Sequence, residues 1–341
     1  MGSTMWAAVA ERTGGPEVLS VREVPRPEAR TGWTLVRVEG FGLNRSELMT
    51  RRGLSPHVRF PRILGIECVG SVAETVTGPA VGAQVAAVMG EMGREFDGGY
   101  AQYALLPDEL LMELPSVSSL LDWETLAALP ETYLTAYGSL RALGVPESGA
   151  GGTLLVRGGT SSVGVAALTL AAGRGLRTIA TTRDRAKADT LRTAGATHVV
   201  LDSGRPGELT ERVRALVPTG PEYVLDLVGA PTTVDSLRLA AAGGTVCVSG
   251  MLSGEWVIRD FEPVGHIPSG TKLTAFLSSD LAGKAGEDAL REIVRGVADG
   301  RYKPLVDRVF DLDEIVTAHE YMEADRAVGK VVVVPEVGGE R

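Results

Sequence analysis

The sequence predicts an α/β protein in two parts, a β-rich barrel-like domain and a doubly wound parallel sheet. Three observations predict it. At about 100–200 residues per domain, a chain of 341 residues suggests two domains rather than one. Up to about Asp122 the chain offers short strand-like runs broken by Gly and Pro, the texture of a small barrel. From Thr153 to Ser249 strand-like and helix-like segments alternate strictly, which means a parallel sheet covered on both faces.

The elements follow in order. In the first part, Trp6–Ala10, Leu19–Val24, Thr34–Val38, Cys68–Ala73, Gln84–Val88 and Tyr100–Ala104 are expected strands. Between Trp123 and Leu143 apolar residues recur at helical spacing across Leu126, Leu129, Tyr133, Ala136, Tyr137 and Leu140. The alternating stretch then predicts strands at Thr153–Arg157, Thr178–Thr181, His198–Leu201, Tyr223–Val228 and Thr245–Ser249. Helices are expected between them at Val163–Ala172, Arg185–Ala194, Glu208–Leu216 and Thr233–Ala240. Past about Gly270 the pattern is mixed: a strand at Lys272–Leu277, helices at Glu287–Ala298 and Asp313–Ala324, and a last strand at Val331–Val334. The tail from Glu336 to Arg341 is expected to fray.

Composition narrows the function. Apolar residues make up 44% and charged residues 23%, ordinary for a soluble globular protein. The 34 Lys and Arg against 43 Asp and Glu leave a net charge of −9, with no basic run, which argues against nucleic acid or anionic lipid as a partner. Cys68 and Cys247 cannot build a disulfide scaffold or a four-thiolate zinc site. No apolar run reaches about 18 residues and no secretory pattern opens the chain, so a cytoplasmic enzyme acting on a small molecule is the default expectation.

The strongest motif is Gly158-Gly-Thr-Ser-Ser-Val-Gly164, which follows a buried strand and opens a helix. A dinucleotide site needs a tight turn, a backbone that a pyrophosphate can approach, and a helix N-terminus aimed at the phosphate. Gly159, Thr160, Ser161, Ser162 and Val163 are therefore candidate cofactor residues, although Ser161 stands where such motifs commonly have Gly. About 20 residues on, where NAD enzymes carry an acidic residue for the ribose, the chain reads Thr181-Thr-Arg183, with Lys187 nearby. Hydroxyls and cations suit a 2′-phosphate, which a carboxylate would repel, so NADP(H) is expected over NAD. Asp184 is read as a cap of the next helix.

Several segments together, in this order, resemble the medium-chain dehydrogenase/reductase superfamily and its zinc-free quinone oxidoreductase (zeta-crystallin-like) branch. They are Gly42-Leu-Asn44, Gly65-Ile-Glu-Cys-Val-Gly70, Asp97-Gly-Gly-Tyr-Ala101, Leu134-Thr-Ala-Tyr137, the Gly-rich turn, Gly195-Ala196 and Gly329-Lys330-Val-Val-Val. The resemblance implies a GroES-like β-rich catalytic domain over 1–125, with 271–341 returning to it, and a Rossmann NADP-binding domain over 126–270. NADP(H) would sit in the cleft between them. Ser249 and Gly250, at the end of the last alternating strand, join the expected cofactor residues, and a homodimer is expected.

The same resemblance addresses zinc. Zinc members place Cys where this chain has Asn44 and His where it has Ile66, and the third catalytic ligand falls near Glu131. A tetrahedral site needs N or S ligands at most corners, so no metal is expected. Glu67 is read as structural. His57, His198, His266 and His319 show no ligand spacing. By family position Asn44 and Thr135 border the nicotinamide, and Ser46 stands where zinc enzymes often carry a relay hydroxyl. Asn44, Ser46 and Tyr133 are thus the candidate catalytic donors. Helix capping is the competing reading for Ser46 and Glu47, and core packing for Tyr133. Quinone reductases of this branch often carry tyrosines after Asn44, where this chain has Met49 and Leu54.

Hydride transfer to an enone or quinone needs a donor that stabilises charge building on oxygen, and because a conjugated acceptor spreads that charge, neutral donors can suffice. The expected activity is therefore NADPH-dependent reduction of a quinone or α,β-unsaturated carbonyl. Two alternatives stand beside it: an enoyl reductase acting on a thioester or secondary-metabolite alkene, and a non-catalytic NADPH-binding structural protein.

Overall fold

The computed structural model describes residues 3–148, 151–205 and 207–337. Two compact units divide the chain. One comprises residues 1–134, 278–300 and 306–341; the other comprises 135–277 and 301–305. Their breaks fall at 134 and 277, against the 125 and 270 read from the sequence.

In the first unit, β-branched and aliphatic runs pair into two sheets. Thr4–Ala10 lies between Leu19–Pro25 and Arg62–Ile63. The larger sheet runs in the order Val306–Asp311, Lys330–Val334, Trp33–Gly42, Glu67–Glu74, Gln84–Val88, Met112–Glu113, with Tyr103–Pro107 also on Trp33–Gly42. Its core gathers Ala7, Val36, Phe41, Cys68, Tyr100, Phe310 and Val333, with Phe41 stacked on Tyr100 at 4.7 Å. The C-terminal segment thus contributes two strands to a sheet begun near the N-terminus. Val306–Asp311 was not expected as a strand; three charged residues among six obscure its alternation.

The second unit is a six-stranded parallel sheet in the order His198–Leu201, Arg177–Thr182, Thr153–Arg157, Tyr223–Asp226, Thr245–Val248, Lys272–Ala275. The order reverses beside Thr153–Arg157, the first of these strands along the chain, which is the topology of a nucleotide-binding sheet. Leu155, Ile179, Val224, Leu237 and Val246 are fully buried between sheet and helices. Lys272–Ala275 is this sheet's edge strand rather than part of the returning segment.

Two further departures have local causes. The single helix expected from Trp123 to Leu143 is two, Trp123–Ala127 and Pro130–Ala142, because Pro130 lacks an N–H and suits only a first helical turn. The strand expected at Tyr100–Ala104 pairs instead over Tyr103–Pro107; the residues before it bridge other segments, Tyr100 N–H donating to Leu64 O at 3.0 Å and Gln102 N–H to Trp6 O at 3.0 Å. The start of the tail is held, since Leu312 N–H donates to Glu336 O at 3.0 Å. The rest of the expected frayed tail, residues 338–341, lies outside the described residues.

Candidate active site

The glycine-rich turn of the second unit is built by hydrogen bonds back to the neighbouring strand. Gly158, at φ +79°, donates its N–H to Thr181 Oγ1 at 3.2 Å, and Gly159 donates to Thr181 O at 3.1 Å. A Cβ on Gly159 would meet Ala180 Cβ at 3.0 Å, and one on Gly164 would meet Gly158 O at 2.5 Å. Gly164 therefore excludes a side chain and Gly159 leaves little room for one, which keeps the turn close against the neighbouring strand. Ser161 caps the helix Ser162–Gly173: its Oγ accepts from Gly164 N–H at 3.1 Å and donates to Gly158 O at 2.8 Å. Thr160 and Ser162 are half-buried and make no side-chain hydrogen bond among the described residues. Thus Ser161, expected to face a phosphate, has its hydroxyl in the turn itself, while Ser162 and Val163 open the first turn of the helix and Thr160 immediately precedes its N-cap.

The end of the next strand divides in the same way. Thr181 and Thr182 are buried, Thr181 bonded to Gly158 and Thr182 to both the N–H and O of Asp184. Arg183 is exposed and Lys187 half-buried, and Asp184 caps as expected, accepting Ala186 N–H at 2.9 Å. Two buried groups hold the C-terminal ends of the two central strands. Arg157 donates to Asp235 at 2.7 Å and Asp202 at 3.2 Å. Asp226, without exposure, accepts from Val228 N–H, Gly229 N–H, Thr232 Oγ1 and Ser236 Oγ at 2.7–3.1 Å. Ser249 donates to Phe276 O at 3.0 Å and meets Ser139 Oγ at 2.7 Å, and a Cβ on Gly250 would lie 2.7 Å from Leu227 O. Thr135 is buried, its carbonyl accepting from Ser139 Oγ at 2.7 Å.

In the first unit a buried polar cluster forms around Asn44. This residue follows the strand Trp33–Gly42 and precedes the helix Arg45–Arg51. Its Nδ2 donates to Glu67 Oε1 at 2.8 Å, with longer approaches to Gly42 O at 3.3 Å and Glu47 Oε1 at 3.4 Å. Its Oδ1 accepts from Lys330 Nζ at 2.6 Å, and the same Nζ donates to Glu67 Oε1 at 2.7 Å. The other oxygen of Glu67 accepts Glu131 N–H at 2.8 Å. Lys330 and Glu67 are 2% and 1% exposed, so this is a fully desolvated ion pair. Gly42 is required beside it, because a Cβ there would overlap the Lys330 side chain.

Glu47 completes the cluster. It is 1% exposed, its Oε1 accepts Ile66 N–H at 3.1 Å, and its Oε2 has no hydrogen-bond partner among the described residues. Burial pushes its pKa up to about 7, outweighing the lowering by the Ile66 N–H and the Lys330 charge; the Glu67 charge adds to the rise. The cluster therefore holds one charged carboxylate paired with a lysine and one carboxyl poised to keep its proton near neutrality.

Neither Ser46 nor Glu47 caps the helix, whose N-cap position is Asn44 and lacks a side-chain cap bond. Ser46 Oγ instead accepts Arg94 Nη2 at 2.6 Å. Tyr133 is 2% exposed, which favours the packing role, and Glu131 Oε1 accepts from Ser278 at 2.7 Å. His319 is buried against Tyr100, Nε2 to OH 3.1 Å, and burial pushes its pKa down to about 3. It is a neutral packing residue. Sequence reasoning named Lys330 only within a motif and did not name Arg94. The visible signal was a lysine opening an otherwise all-valine strand, Lys330-Val-Val-Val-Val334.

Residues 194–333 match the family described as zinc-binding dehydrogenase, and residues 30–116 the alcohol dehydrogenase GroES-like domain. A putative quinone oxidoreductase YhfP of Bacillus subtilis is 27% identical, covering 97% of this chain and 99% of its own. Over nearly its whole length the chain is similar to the quinone oxidoreductase-type medium-chain dehydrogenases/reductases. Another relative, the acryloyl-coenzyme A reductase of Metallosphaera sedula, is 26% identical over 94% of this chain and 97% of its own. A phenolphthiocerol synthesis polyketide synthase of Mycobacterium tuberculosis, described as putative inactive, is 31% identical over 96% of this chain, which spans only 19% of that protein's length. Among solved structures, mycobacterial Rv1454c complexed with NADPH superposes with a TM-score of 0.84 at 27% identity, covering 97% of this chain and all of that one.

Proposed function

We propose that this chain is an NADPH-dependent oxidoreductase that delivers hydride to a conjugated acceptor, a quinone or an α,β-unsaturated carbonyl, without zinc. The observation that carries the reading is the Asn44–Glu67–Lys330 cluster. At the positions where zinc members of the family hold metal, this chain has Asn44, Ile66 and Glu131, and a lysine ammonium is bonded to both Asn44 and Glu67. An amide, an aliphatic side chain and a carboxyl beside a fixed cation make a poor tetrahedral zinc donor set.

The glycine turn fits the cofactor. Gly159 and Gly164 leave the backbone uncovered where side chains would stand, and the helix Ser162–Gly173 opens with Thr160 and Ser162 available to a pyrophosphate. Arg183 and Lys187 would meet the 2′-phosphate, and Thr135, Ser249 and Gly250 would border the nicotinamide. NADPH bound there supplies the hydride. The chain's own Asn44 and Ser46 offer neutral donors to the acceptor oxygen, where charge builds, and the resulting enolate or hydroquinone anion takes its proton from water or a side chain. A conjugated acceptor spreads that charge, so neutral donors suffice where a simple ketone would need a stronger acid.

Within this class an activated enoyl thioester is the second reading, favoured by the near full-length match to an acryloyl-coenzyme A reductase. We also propose that the chain works as a cytoplasmic homodimer; the exposed edge strand Lys272–Ala275 and exposed Trp256, Val257 and Val264 provide a surface for it. The test is NADPH consumption against a panel of quinones, enones and enoyl thioesters. Turnover of one class selects between the two readings. Tight NADPH binding with no turnover of any would establish a binding protein, and efficient oxidation of simple alcohols alone would overturn the proposal.

A further inference from the structure

Asn44 can be placed in two orientations that differ only by exchange of its amide oxygen and nitrogen. Its neighbours decide between them. Lys330 Nζ, 2.6 Å from one end of the amide, can only donate; Glu67 Oε1, 2.8 Å from the other, can only accept. The amide oxygen must therefore face Lys330 and the nitrogen must face Glu67. Of the two N–H groups, one is held by the charged carboxylate, while the other has only the 3.3 Å and 3.4 Å approaches to Gly42 O and Glu47 Oε1. Asn44 is half-buried, and this weakly held N–H is the one for which an acceptor oxygen would have only those two long approaches to displace.

We propose that Lys330 is a positioning residue, whose ammonium locks the Asn44 carboxamide with its N–H edge available to the acceptor oxygen. The inference rests on the proposed hydride transfer and adds to it a role for a residue that touches neither cofactor nor acceptor. Without the lock the amide can turn its oxygen outward, and a carbonyl oxygen repels an oxygen that is gaining negative charge. Gly42 belongs to the device, because the lysine stem lies where a side chain at 42 would be.

The competing account is that Lys330 merely neutralises the buried Glu67. Two variants separate these. Lys330→Met leaves Glu67 buried and unpaired and is expected to destabilise the fold. Lys330→Met combined with Glu67→Gln removes both charges, and such neutral replacement of a buried pair commonly restores stability. Under the positioning role, the double variant melts near the wild type, binds NADPH with Kd within about threefold, and yet loses turnover on the order of 100-fold with little change in KM. A second readout is independent of activity: hydrogen exchange of the Asn44 side-chain amide, followed by NMR and assigned by its loss in Asn44→Ser. One slowly exchanging proton is expected in the wild type and in Glu67→Gln, where Lys330 stays and the new amide oxygen can still accept from Asn44, and none in the double variant. Recovery of turnover together with stability would overturn the proposal, as would an unchanged amide signal. If the wild type reduces no acceptor while the amide protons behave as expected, the hydride-transfer reading fails and the orientation of Asn44 by Lys330 stands.

Discussion

Replacing Glu47 by glutamine should change how stability depends on pH. In the folded protein burial holds the Glu47 pKa near about 7, against an ordinary value of 4.5. Between those values the folded state keeps the proton and the unfolded state releases it. The group's contribution is therefore fully present below pH 4.5 and is lost as pH rises through about 7, where the folded state must carry a buried carboxylate. At 1.36 kcal/mol per pKa unit, a shift of this size corresponds to about 3 kcal/mol, of which about 2–3 kcal/mol falls between pH 5 and 8.5. The glutamine of Glu47→Gln would keep an oxygen for the Ile66 N–H, 3.1 Å from Glu47 Oε1, and cannot ionise. Urea unfolding midpoints of the wild type and Glu47→Gln, measured side by side across that range, test the argument, because other titrating groups cancel in the difference. The variant should gain about 2–3 kcal/mol on the wild type as pH rises. Parallel pH profiles would refute it, and a gain towards low pH would show that the charged form is the favoured one.

Three further outcomes follow from the same geometry. Gly164→Ala places a Cβ 2.5 Å from Gly158 O, so it should cost about 1–3 kcal/mol of stability and weaken NADPH binding in a fluorescence titration; unchanged binding would show that the turn does not hold the phosphates. Arg183→Ala should weaken NADPH roughly tenfold or more while sparing NADH, since charge-assisted phosphate contacts contribute about 1.5–3 kcal/mol; equal loss for both would remove Arg183 from 2′-phosphate recognition. Elemental analysis should find no stoichiometric zinc and activity should survive a chelator; one zinc per chain with chelator-sensitive turnover would contradict the donor-set argument.

The sequence by itself determined what depends on neighbours along the chain. Alternating segments from Thr153 to Val248 read correctly as strands and helices because burial on both sheet faces imposes periods that a local window detects. The glycine turn was legible because a φ of +79° at Gly158 and close packing at Gly164 each demand a residue without a side chain, and Gly159 leaves little room for one. Family position drew attention to Asn44. What the tertiary structure decided was how these residues are engaged. Ser161 turned out to cap its helix rather than face outward, and Thr181 to brace the turn. Lys330 reaches Asn44 across 286 residues and Glu67 across 263, through adjacent strands that no local pattern pairs. A lysine within a valine strand is only an anomaly until the register Val332↔Gly42 carries it over Gly42, which has no Cβ to obstruct it. The charge states follow from the same closure: Glu67 gains a cation, and Glu47, shut away from water with one oxygen unpartnered among the described residues, gains a proton. Desolvation and pairing are properties of the assembled site, and the sequence encodes them only through the fold.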